Sequence, residues 1–196
     1  MNERVRLLLT MPDLSGGGAE RELSNLARGL SRERFEVHLL LHRPVFDHPV
    51  PEDIPLHVLS RTRPWHTPRT VQAIRHIVDR IRPHLVFSQL HYANLLTGSA
   101  LAIARHRPHW VCRHTGDPRR ELRGPFATWA RRVLTRADRV VGCSDGVSAA
   151  LREHVGLDAR RVVTLPNVVD TTRVVSRARE SCPLERTPGA FTIVRP

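Results

Sequence analysis

Short leucine- or valine-rich runs alternate with helix-periodic segments along almost the whole chain, and this alternation constrains the fold more than any other feature. Residues 4–10, 35–41, 56–59, 85–88, 109–114, 139–143 and 161–165 read as strands. Between them Leu23, Leu26, Ala27 and Leu30 recur at helical spacing, as do Val71, Ile74, Ile77, Val78 and Ile81, and again Phe126, Trp129, Ala130 and Val133. Residues 93–106 are apolar on most sides, which implies a helix buried against the sheet. Parallel neighbours need crossover helices, so the expected fold is α/β: a doubly wound, mostly parallel sheet forming a single Rossmann-like domain. A length of 196 residues with 40% hydrophobic content supplies the core. The Rossmann-like domain spans 1–169, a charged segment without periodicity reads as a linker over 170–188, and 189–196 reads as the start of a second domain that the chain barely begins.

The first strand leads into Gly16, Gly17 and Gly18 and then into a helical pattern. Glycines there let backbone N–H groups approach a ligand without an intervening Cβ, and a helix N-terminus favours phosphate. The bland alternative is a connecting turn. A dinucleotide fingerprint is excluded because Arg21 stands where the third glycine is needed, and a Walker loop is excluded because all 31 basic residues are arginine. The lack of lysine also removes Schiff-base chemistry.

A formal charge of +12 suggests an anionic partner, yet the arginines are spread over nearly every segment, and aromatics at 5% do not interleave with them as a nucleic-acid platform requires. No nucleic acid is expected. Cys112, Cys143 and Cys182 are odd in number and form no CxxC pair, which reads as free thiols in a reducing compartment. The opening apolar run is too short for a signal peptide, and no stretch approaches the ~20 residues of a spanning helix. A cytoplasmic protein, peripheral at most to the inner membrane surface, is expected.

Gly142, Ser144 and Gly146 match a nucleophile elbow between strand and helix, but a hydrolase needs an acid and then a histidine later in the chain, and only His154 follows. Ser144 reads better as an N-cap. His154 itself is placed with Val147 and Leu151 on the core-facing side of its helix. His106, His109, Cys112 and His114 are close in sequence, but strand alternation divides them and no metal site is expected. The arginines at 69, 75, 80, 82, 131, 132 and 136 read as solvated helix faces, or as contacts to lipid headgroups. His114 ends a buried strand, where an imidazole can project into a cleft and exchange hydrogen bonds near neutral pH; the competing reading is a surface-loop histidine.

The glycine loop with Ala19, Glu20 and Arg21, the strand ending in Arg113 and His114, the strand ending in Gly142, Cys143 and Ser144, and the run Leu165, Pro166, Asn167 to Asp170 together resemble, in that order, the N-terminal domain of retaining GT-B glycosyltransferases of the family-4 type. The resemblance implies half of a GT-B fold, an acceptor-binding half whose C-terminal donor-binding partner is missing. It implies a nucleotide sugar as donor substrate, no cofactor beyond it, a glycan or lipid-linked acceptor of the cell envelope, and peripheral membrane contact. It also implies that His114 is catalytic beside the reacting sugar, with Gly16, Gly17, Gly18, Arg113 and Asn167 binding substrate. A binding module for a sugar, lipid headgroup or anion, without turnover, stays open beside the enzyme.

Overall fold

The computed structural model describes residues 3–59, 67–124 and 127–180. Its strands are β1 (Val5–Met11), β2 (Phe35–Leu41), β3 (Leu56–Val58), β4 (Leu85–Gln89), β5 (His109–His114), β6 (Arg139–Gly142) and β7 (Val162–Thr164). They form one sheet in the order β3-β2-β1-β4-β5-β6-β7, and every pairing is parallel. The helices are α1 (Gly18–Gly29), α2 (Thr67–Ile81), α3 (His91–Ile103), α4 (Pro118–Glu121), α5 (Ala127–Leu134), α6 (Asp145–Glu153) and α7 (Thr171–Ala178). The doubly wound parallel α/β fold is as the alternation requires.

β1 shows why the strands are nearly continuous apolar runs. A parallel sheet is covered on both faces, so successive side chains enter two different cores. Leu8 joins the cluster built with α2, α3, α5 and α6, whereas Leu7 and Leu9 join the cluster under α1. The strand order reverses between β1 and β4, and at such a reversal the connections leave toward opposite faces and open a crevice at the carboxyl edge. The loops after β1, β4, β5, β6 and β7 all gather there.

A buried polar chain fixes this edge. The Trp110 indole N–H donates to Ser88 Oγ at 2.9 Å, Ser88 donates to Asn94 Oδ1 at 2.7 Å, and Asn94 Nδ2 donates to the Arg113 carbonyl at 2.9 Å. Gly98 of α3 makes room for the indole, since a Cβ there would run into Trp110 and Val133.

Three local expectations change. α4 lies inside the stretch from Thr115 to Gly124, whose polar, aperiodic sequence reads as a loop; Asp117 caps it by accepting from the Arg119 amide at 2.9 Å, with Pro118 opening the helix. α7 occupies part of the segment read as an aperiodic linker, and its described side chains are exposed, so no core stripe announces it. Trp129, assigned to the core stripe of α5, is 37% exposed. Phe126, Cys182 and the strand expected within 189–196 lie outside the described residues.

Candidate functional site at the carboxyl edge of the sheet

The glycine loop is held from behind. Buried Asp13 accepts from the Ser15 amide at 3.0 Å and pairs with Arg43, while the Leu14 amide donates to the Val45 carbonyl at 3.0 Å and the Asp47 amide returns to Leu14 at 2.8 Å. His48 Nε2 lies 3.2 Å from the Gly17 carbonyl. Gly17 is the N-cap of α1 with φ −78°, an ordinary extended conformation that any residue adopts. A Cβ on Gly17 would run into the Glu20 carboxylate, whereas one on Gly18 would meet nothing within 4 Å. Gly16 and Gly18 are exposed at the start of α1.

Burial by itself raises the Asp13 carboxyl; the Ser15 hydroxyl and amide and the Arg43 guanidinium outweigh it and hold Asp13 below the ordinary carboxylate value. A depressed folded-state pKa contributes stability above the unfolded value, about 3.9, and loses it as pH falls through the folded one. The wild-type urea midpoint is therefore expected to drop below about pH 4, and Asp13→Asn to have a lower midpoint at pH 7 but a shallower drop over that window.

Beside the loop runs a groove of about 570 Å³, lined by Gly18, Arg21 and Asn25 on one side and Asn167, Val168 and Arg177 on the other. Its far wall is held in place by Arg113. This side chain is 2% exposed; one of its terminal nitrogens lies 2.7 Å from Glu22 Oε1 of α1 and donates at 2.8 Å to Asn167 Oδ1. Gln89 Nε2 completes the cluster, donating to Glu22 Oε2 at 3.1 Å and to the Ala19 carbonyl at 3.2 Å. The guanidinium assigned to substrate is thus engaged inside the fold, tying the segment after β7 to the helix behind the glycine loop. Arg113 acts on the groove through Asn167.

His114 also differs from its expectation. It is fully buried at the end of β5, not projecting into an open cleft and not on a surface loop. His91, the first residue of α3, and Glu121, the last of α4, cover it: His114 Nδ1 is 3.5 Å and His91 Nδ1 4.0 Å from Glu121 Oε2, and the two rings are 6.1 Å apart. Burial pushes the His91 imidazole below its ordinary pKa; Glu121 opposes that shift and His114 adds to it. Leu90, just before His91, has φ +73°, a strained conformation for a bulky residue that turns the chain from β4 into α3.

No curated protein sequence matches the chain. A family profile, Glycosyltransferase Family 4, matches residues 16–173. The chain belongs to that family. Among solved structures it resembles Alr3699/HepE of Anabaena in complex with UDP and glucose, at 17% identity and TM-score 0.63, covering 90% of this chain and 50% of that one. It also resembles the lipopolysaccharide outer core galactosyltransferase WaaB, at 15% identity and TM-score 0.64, covering 84% and 46%. A glycosyltransferase of Rickettsia africae matches at 13% identity and TM-score 0.66, covering 93% and 52%. The chain spans about half the length of these structures.

For a family 4 glycosyltransferase chain the rival motifs take structural roles. Ser144 is the N-cap of α6 and accepts from the Val147 amide at 3.3 Å, and Gly142 gives Ser148 room against β6. His154 is exposed at the end of α6, so its core-facing assignment is corrected. His106 is bonded to the Pro83 carbonyl at 2.6 Å, and His109 pairs with Asp138 at the amino end of β5, so neither approaches His114. Burial pushes the Cys112 thiol up, away from the thiolate a metal would need.

Proposed function

We propose that the chain is the acceptor-side half of a retaining glycosyltransferase that moves a sugar from a nucleotide sugar to a glycan or lipid-linked acceptor of the cell envelope. The observation that carries this reading is the carboxyl edge itself. An exposed glycine turn opens α1, a groove with two arginines runs beside it, and a histidine stands at the end of β5, all on the rim where a doubly wound sheet binds ligands. In this reading the amides of Gly16, Gly17 and Gly18 meet the donor diphosphate, Asn167 shapes the groove wall, and Arg113 positions it. Transfer breaks the bond from the anomeric carbon to the diphosphate oxygen and forms one to the acceptor oxygen, which loses its proton. Charge develops on the leaving diphosphate, where N–H donors at a helix start stabilise the transition state.

Exposed arginines on α2 and α5, including Arg69, Arg80, Arg131 and Arg132, suit anionic headgroups of a lipid-linked acceptor. Among the described residues no helix is long and apolar enough to cross a membrane.

The test is transfer from a panel of radiolabelled nucleotide sugars to lipid and glycan acceptors, with residues 1–196 alone and supplemented with a family 4 donor-binding half. The expected result is product only in the supplemented reaction, because turnover requires both substrates held together. Saturable acceptor binding without product in either reaction would instead identify a binding module.

A further inference from the structure

Crossover helices run back against the strands, so their carboxyl ends gather at the amino edge of the sheet, where a cation is favoured. Between the ends of α2 and α3 the arginines exceed that need. A groove of about 510 Å³ is lined there by Arg75, Asp79, Arg82, Arg105, His106 and Arg107. Four guanidiniums face one carboxylate, and that carboxylate is already engaged. Asp79 Oδ1 accepts from the Arg105 amide at 2.8 Å and from the His106 amide at 2.9 Å, and its Oδ2 lies 3.4 Å from Arg75 Nε. The two helix ends, worth about half a negative charge each, still leave positive charge in surplus. Among the described residues the guanidiniums of Arg82, Arg105 and Arg107 have no hydrogen-bond or ion-pair partner.

Elsewhere along the same edge arginines are matched: Arg32 pairs with Asp53 at 2.5 Å and Arg160 with Asp158 at 3.3 Å. Arg82 is also unusual in its backbone. It closes α2 with φ +52°, its amide donating to the Val78 carbonyl at 2.9 Å. Glycine is the residue that fits such a left-handed helix end, and a long side chain there carries strain. A second groove, of about 450 Å³, adjoins the first and shares Arg107; Leu101, Ala102, Pro108 and Trp110 line it, with Arg136 and Asp138. Its carboxylate is likewise engaged, because Asp138 Oδ2 accepts from the Trp110 amide at 2.7 Å.

We propose that the two grooves form one site for a small phosphorylated organic molecule, its phosphate on Arg82, Arg105 and Arg107 and its organic body over Leu101, Ala102 and Trp110. Guanidiniums match phosphate because their forked N–H donors meet two of its oxygens at once. The apolar groove beside them buries the part of the ligand that phosphate alone lacks. By position this is an effector site and not a second transfer site: Arg82 precedes β4, and Arg105 and Arg107 precede β5, whereas the glycine loop follows β1, so the two lie at opposite edges of a parallel sheet.

This inference does not rest on the transferase reading, because it is tested by binding at residues outside that groove. The full chain is titrated in a calorimeter at low salt with methyl phosphate, AMP and geranyl phosphate, three monoesters of matched phosphate charge. Saturable binding that weakens at about 0.5 M NaCl is expected. AMP or geranyl phosphate is expected to bind at least about tenfold tighter than methyl phosphate, the gain from burying about 60 Å² of apolar surface, and the tighter of the two tells a nucleoside body from an isoprenoid one. Arg105→Gln and Arg107→Gln, both exposed, are expected to weaken binding by about tenfold to a hundredfold each. Arg82→Gly is expected to weaken it as much while melting at or above the wild-type temperature, since glycine relieves the left-handed turn. Arg21→Gln, in the groove beside the glycine loop, is expected to keep wild-type affinity. Absence of saturable binding, equal affinity for all three monoesters, or wild-type affinity in the amino-edge variants overturns the proposal, as does loss of binding in Arg21→Gln alone. Failure of sugar transfer leaves it standing.

Discussion

Replacing Arg113 with alanine is expected to destabilise the protein by about 3–5 kcal/mol, among the largest effects of any single substitution in this fold. The guanidinium faces Glu22, whose side chain is only 7% exposed, and its removal leaves a carboxylate in an apolar setting with Gln89 as its remaining side-chain donor. Breaking one partner of a buried pair is far worse than removing both. The double variant Arg113→Leu with Glu22→Leu should therefore recover most of the loss, and the non-additivity measures the coupling. Urea denaturation of the two single variants and the double variant checks this. If Arg113→Ala costs less than about 1 kcal/mol, the ion pair is not what ties the segment after β7 to α1.

That same pair shows where sequence reading stops. Arg113 and Asn167 are marked only by the resemblance, and the structure brings them together, but Glu22, in a polar stretch of α1, and Gln89, at the end of β4, carry no local mark. Their significance is only their meeting across α1, β4 and β5, far apart along the chain. The strands, by contrast, were legible because a parallel sheet demands unbroken apolar runs: β2 and β5 begin and end where the pattern does. α4 had a readable signal, Asp117 followed by Pro118 and then Glu121, the composition of a capped helix start. α7 had none, since a helix without a buried face shows no stripe. The segment that braces the glycine loop, residues 43–48, does so through backbone bonds at Val45 and Asp47 and through the Arg43 and His48 side chains, whose partners lie about 30 residues away in the chain. Recognising Glu121 needed the path of the chain after β5, which folds α4 back onto His114.

The sequence reads His114 as an imidazole projecting into a cleft, and its burial changes what a substitution test has to contain. Removing a fully buried side chain of this size costs about 2–5 kcal/mol by loss of packing, so a lowered melting temperature no longer separates a catalytic role from a structural one. The assay therefore uses the chain joined to a donor-binding half, at a temperature where every variant is folded, with a control of matched instability. Ile74→Ala is that control: Ile74 is fully buried between α2 and the sheet and belongs to no part of the proposed site. In the catalytic reading the imidazole exchanges a hydrogen bond with the reacting sugar as charge develops. His114→Ala is then expected to lower kcat by about a hundredfold to a thousandfold, with the donor KM changed little, because the lost hydrogen bond belongs to the transition state. Ile74→Ala, equally destabilised, is expected to keep its kcat. If both variants turn over alike at saturating donor and acceptor, His114 is a core residue under α4, and the catalytic burden rests on the glycine loop and the groove beside it.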